Sequence, residues 1–223
     1  AGALEKLVQA MIDNPEESTA TLSSHSGKLD RLGILAATLI NPDGTVQPQG
    51  GSLPSLFTLF NHLMMIDDLP ILGRLLPSTQ HTGWRATNFI NQYLFKTGWV
   101  AGTAMLIKRD LIKEIGLLDK NIFMYGEDVE FCLRASHHHW DVAIHPTAFV
   151  THLKSASSTT LNAIVGEMNG YLYLWAKHFP SWQSVVVRAL IYSGLILRII
   201  IFGTIGQTKR SNLYRIALGQ IKF

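Results

Sequence analysis

Hydrophobic positions follow two regimes along this chain. Up to about residue 152, helical and extended spacings alternate; from Leu161 onward the spacing is helical almost to the end. Leu4, Leu7, Val8, Met11 and Ile12 recur at steps of three and four, which predicts an amphipathic helix ending near Asn14-Pro15. Residues 18–31, rich in Ser, Thr and Gly, read as a loop. Gly33 to Ile40 is an apolar run the length of one buried strand, closed by the turn Asn41-Pro42-Asp43-Gly44. Thr45 to Gln49 is a candidate returning strand, Leu53 to Met65 has helical spacing, and residues 66–94 read as irregular. Trp99 to Lys108 predicts a strand, with Gly98 and Gly102 marking a bend near a ligand or a crowded backbone. Arg109–Ile115 and Glu127–His137 read as short helices, and Asp141–His145 and Thr147–His152 as strand pieces flanking Pro146. The expected class is α/β, a mixed sheet flanked by helices, followed by a helical amphipathic tail.

Composition sharpens this picture. Hydrophobic residues make up 47% and charged residues 16% of 223, which excludes a disordered chain and is lean in charge for a soluble domain. The net charge of +3 conceals an asymmetry, because all 16 acids lie at or before Glu167 while seven bases and no acid follow it. A division into residues 1–158 and a basic, greasy tail over 159–223 is therefore expected. The single cysteine, Cys132, allows no internal disulfide. No G-x-G-x-x-G or G-x-x-x-x-G-K-[ST] loop follows a strand, so any nucleotide-binding half is expected elsewhere.

The segment richest in chemistry runs from Gly116 through Tyr125-Gly126-Glu127-Asp128-Val129-Glu130. Two adjacent carboxylates open a predicted helix after an aromatic loop. Taken alone, acids in a first turn commonly just complement the helix dipole, for roughly 0.3–1 kcal/mol. The flanking sequence adds a second reading. Trp99-Val100-Ala101-Gly102 leads through Met105-Leu106-Ile107-Lys108-Arg109, the acidic segment continues to Cys132-Leu133-Arg134, and Val150-Thr151-His152 closes a strand.

Together these stretches resemble the non-processive, rhamnosyltransferase-like members of glycosyltransferase family 2, most closely over residues 96–157. The resemblance implies a partial GT-A-like sheet and an inverting transfer of sugar from a nucleotide-sugar donor to a glycan or glycolipid acceptor. It implies that Asp128 is the general base, since a sugar hydroxyl must lose its proton as the new bond forms. Glu127 is expected to orient Asp128 or bind acceptor. Trp99, Gly102, Tyr125 and Arg134 are candidate substrate-binding residues, with plain packing the competing role for Trp99 and Gly102 and bracing of the acidic loop that for Arg134. His152 is a candidate contact for a divalent cation, Mg or Mn, or for the diphosphate; a strand-end histidine bonded to backbone is the alternative. No Asp-x-Asp motif for that cation is present, since Asp67 and Asp68 are adjacent and Asp141 stands alone. The chain is thus expected to be a fragment that starts after the metal motif and binds donor poorly without an N-terminal half. The Q-x-x-R-W of processive members is absent. The run His137–His139 is not expected to bind metal, because consecutive side chains diverge.

Val185 to Gly206 approaches membrane-spanning length but contains Arg188 and Arg198. At 100° per residue the two arginines fall on one side, opposite Val186, Leu190, Leu197, Ile200 and Ile201, which favours a helix lying in a membrane surface, with a spanning helix and a core or oligomer helix as the alternatives. Peripheral attachment to the cytoplasmic face is the expected location. Nucleic-acid binding is not expected, because the tail's bases sit among aliphatics. A non-catalytic remnant that docks a membrane or a partner is the alternative function.

Overall fold

The computed structural model describes residues 2–13, 29, 31–80, 94–122, 124–153 and 160–222. Most of the loop read over 18–31, part of the irregular stretch (81–93) and the cut at 158/159 lie outside them. The chain forms two compact units, each assembled from separated segments: Ala1–Pro54, Thr79–Asp119 and Asp128–Lys154 make the first, and Ser55–Ser78, Lys120–Glu127 and Ser155–Phe223 the second.

The first unit is built on a mixed sheet. Strands β1 (Leu32–Ile40), β2 (Phe95–Thr97), β3 (Met105–Ile107) and β4 (Asp141–Thr151) lie in the order β2-β4-β1-β3. β1 pairs in parallel with β4 and antiparallel with β3, and β2 runs antiparallel to β4. Leu32 to Leu39 is buried at every position, as an apolar run covered on both faces must be. Helix α1 (Ala3–Asp13) lays Leu7 and Met11 against Leu35, Ala37, Ala143 and Ala148. Side chains alternate across a strand, so the equally buried Ile34 and Ala36 belong to the other face. The two strand pieces expected around Pro146 are one strand with a bulge: Ala37 pairs with His145 and Thr38 with Phe149. Pro146 sits where no ladder amide is required.

The expected strand over 99–108 is corrected: only Met105–Ile107 is strand, and Phe95–Thr97 forms a separate one before it. The backbone between them is diverted by a close crossing. Trp99 N–H donates to Gly51 O at 3.1 Å, and a Cβ on Gly98 would lie 2.2 Å from Leu53 N. Gly98 thus marks a crowded backbone. The expected returning strand at Thr45–Gln49 is reduced to one bridge, Ile40 with Val46. Helices α4 (Arg109–Ile115) and α5 (Glu127–His137) keep the predicted bounds.

The second unit is helical: α2 (Leu56–Leu63), α3 (Leu72–Leu75), α6 (Thr160–His178), α7 (Ser181–Thr204) and α8 (Thr208–Gln220). A capping box of Ser55 and Thr58 starts α2. Buried Leu59, Leu63, Leu174, Trp175, Val187, Ile191 and Leu195 form its interior. The single exposed stripe expected for Arg188 and Arg198 is also corrected. Arg198 is 8% exposed and donates to the carbonyls of Leu63, His62 (2.9 Å) and Gly194 (3.3 Å). A helix C-terminus leaves carbonyls without partners, and the guanidinium supplies them for α2.

Candidate active site

Asp128 lies in the first turn of α5, within the sheet-bearing unit. Its Oδ2 accepts the Gly102 N–H at 3.1 Å, across 26 residues of sequence, and its Oδ1 accepts the Val129 N–H at 2.8 Å. The two halves of the sequence motif therefore meet at one carboxylate. Asp128 is partly exposed, yet the surrounding atoms desolvate its carboxyl. Burial raises its proton affinity above the usual aspartate value, and the two backbone N–H groups offset part of that rise. Each oxygen accepts one of these bonds, leaving lone-pair capacity for a ligand hydroxyl.

Gly102 contributes by lacking a side chain. A Cβ there would sit 3.7 Å from Asp128 Cβ and 4.0 Å from Oδ2, so the carboxylate's approach is open where any larger residue would stand. Arg134 braces the helix carrying Asp128. Its Nε pairs with Glu130 at 2.8 Å and 3.0 Å, and its terminal nitrogens donate to Ile115 O and to Leu117 O at 2.8 Å. Glu130, fully buried, is the partner the sequence did not single out. Trp99 is 7% exposed and spends its indole N–H on Thr79 O at 2.6 Å. Cys132 is buried, which pushes its thiol up to about 12.

His152 directly follows β4, with its backbone N–H on Ile40 O. Gln47 donates its amide nitrogen to the carbonyls of His152 and Ile40, so its Oε1 faces the imidazole Nδ1 at 3.0 Å. Nδ1 is therefore the donor to Gln47 Oε1. Among the described residues, no three His, Cys, Asp or Glu side chains converge to hold a metal ion. The described residues by themselves do not make a divalent-cation site.

Glu127 and Tyr125 belong to the helical unit. Tyr125 (φ 68) and Gly126 (φ 120) form a left-handed turn ahead of Glu127, an unfavourable conformation for a tyrosine. Position 123 of the same motif lies outside the described residues.

The mixed sheet and its helices make this an α/β fold, with one desolvated carboxylate at a helix start beside an open glycine. Residues 84–169 match the family model described as glycosyltransferase like family 2. The chain is 26% identical over 184 residues to N-acetylglucosaminyl-diphospho-decaprenol L-rhamnosyltransferase from two strains of Mycobacterium tuberculosis, a match covering 81% of this chain and 57% of those proteins. The chain is thus similar to glycosyltransferase family 2 over residues 84–169 and to rhamnosyltransferases over most of its length. It spans just over half the length of the curated relatives it matches.

Proposed function

We propose that the chain supplies the acceptor side of an inverting, nucleotide-sugar-dependent glycosyltransferase, with Asp128 as general base. The observation carrying this reading is the Asp128 carboxylate, fixed by Gly102 and Val129 N–H groups, partly desolvated and still reachable. An acceptor hydroxyl attacks the anomeric carbon of the donor. The bond from that carbon to the diphosphate oxygen breaks, the diphosphate leaves with the electron pair, and the hydroxyl proton passes to Asp128. Displacement on the opposite face inverts the anomeric centre. Glu127, preceding Asp128 in the chain, is assigned to acceptor binding.

The mycobacterial relatives' name supports a deoxyhexose of the rhamnose type as the transferred sugar and a lipid-linked N-acetylglucosamine as acceptor. A lipid-linked acceptor suits a protein that sits peripherally on the cytoplasmic face of a membrane. α7 has the length and composition to cross one, with mean hydropathy 2.2, and 28% of its most apolar window is buried within the chain. Trp182, Val185, Tyr192 and Ile200 face outward on it. We assign this outward side to the membrane surface.

In a transfer assay with a nucleoside-diphosphate deoxyhexose, Asp128→Asn should lower kcat by roughly 10²–10⁴-fold with KM much less affected. The base works deprotonated, so the wild-type rate rises with pH through a limb displaced above the usual aspartate range, and that limb disappears in the variant. A wild-type rate in Asp128→Asn removes Asp128 from the role.

A further inference from the structure

The helical unit contains a cavity of about 450 Å³ that the acid–base chemistry does not use. One wall is a single face of α6, where Asn162, Gly166, Asn169 and Tyr173 recur at helical spacing. The other wall is the segment before α5, contributing Asn121 and Tyr125. The two walls are held together by glycines. A Cβ on Gly166 would lie 2.6 Å from the Tyr125 ring, and one on Gly170 would lie 2.4 Å from Tyr125 O. The left-handed Tyr125-Gly126 turn thus fits into a notch in α6 that only glycine leaves open.

The lining carries a distinct chemistry. Among the described residues its polar side chains are amides and phenols, and no Lys, Arg, Asp or Glu lines it. A phosphate or diphosphate would find no countercharge among these lining residues; the ammonium of Lys177 lies 6.0 Å from the centre of the Tyr173 ring. Sugar hydroxyls, which donate and accept at once, match amides and phenols that do the same, and tyrosine rings offer an apolar surface to the C–H face of a pyranose. The polar groups are also held in place. Asn121 Nδ2 donates to Tyr173 OH at 3.2 Å, and Asn169 Oδ1 accepts the Lys222 N–H at 3.3 Å. The volume is within the range of small-molecule sites.

We propose that this cavity binds a neutral saccharide, the non-reacting part of the acceptor glycan. Recognition in the cavity stands on its own geometry, while the word acceptor rests on the transfer reading above.

The test is saturation-transfer NMR on the 223-residue chain with two probes, the methyl glycosides of N-acetylglucosamine and of rhamnose. The hexosamine glycoside should receive saturation at least fivefold more strongly than the rhamnoside, as an acceptor site requires. The Asn162→Leu and Tyr173→Ala double variant, both on a helix surface, should reduce that signal at least fivefold with its circular dichroism unchanged. Inorganic pyrophosphate should not compete. Asp128→Asn should keep hexosamine binding within twofold whether or not it transfers sugar, which separates this proposal from the assignment of the base. No saturation of either glycoside, an equal or stronger rhamnoside signal, a signal that survives in the folded double variant, or displacement by pyrophosphate overturns the proposal.

Discussion

Glu130 shows at the scale of one residue why the segment around Asp128 is ordered. A carboxylate with no exposure survives because Arg134, four residues on, takes both its oxygens and spends its other donors on Ile115 O and Leu117 O. Removing one partner of such a pair leaves a buried charge behind, which costs about 3–5 kcal/mol. Arg134→Met should therefore lower the urea midpoint of unfolding sharply, and Glu130→Met with Arg134→Met should recover much of the loss. If the double variant unfolds at the same midpoint as Arg134→Met alone, the pair is not what holds the segment. In the sequence Arg134 had two open roles, substrate binding and bracing of the acidic loop, and its contacts here are with that segment's backbone and Glu130. Glu130 was harder to read. Val129 through Leu133 are all buried, so α5 has no single apolar face for periodicity to detect.

At the scale of elements, α1, β1, α4 and α5 could be read in advance because each carries its own spacing or punctuation. The bend at Gly98 and the interruption at Pro146 could be read too, but not which segment crosses at Gly98, nor that β4 continues through a bulge. The same limit governs α7. Angular position alone put Arg188 and Arg198 on one wet side; what turns Arg198 inward is the end of α2, 135 residues earlier, whose carbonyls need donors. Gly194 enables this, since a Cβ there would lie 2.8 Å from Leu63 O. Arg198→Leu makes α7 more apolar yet should destabilise the helical unit by roughly 1–3 kcal/mol, the cost of leaving buried carbonyls unsatisfied. Arg188→Leu, at an exposed position, should stay within about 0.5 kcal/mol. Chemical denaturation of the two variants side by side measures the difference, and equal losses would mean that Arg198 does not anchor α2.

Over the whole molecule, the compact units are not contiguous in sequence, and hydrophobic periodicity carries no information about which distant segments will share an interior. His62 illustrates what such assembly creates. It lies on α2; its Nδ1 meets Asp67 at 3.0 Å and its Nε2 meets Glu167 of α6 at 3.4 Å, while Ser78 Oγ donates to Asp67 at 2.5 Å. Arg198 binds the carbonyl of His62, and Tyr171 OH donates to Glu167 at 3.4 Å. Burial opposes the charge on the imidazole, but the two carboxylates prevail and raise its pKa from 6.5 to about 9. A histidine whose folded pKa exceeds its unfolded value contributes its full stabilisation below about 6.5 and loses it as pH rises to about 9. That interval corresponds to a loss on the order of 3 kcal/mol. Hydrogen exchange of the α2 and α6 amides, corrected for intrinsic rates, should show protection falling between pH 6.5 and 9. His62→Asn should have lower protection at pH 6 and a flat profile across that interval. Protection that stays level in the wild-type chain would mean that the imidazole is neutral between its two carboxylates, and the helical unit would then owe its cohesion to packing around Trp175 and to the Arg198 anchor.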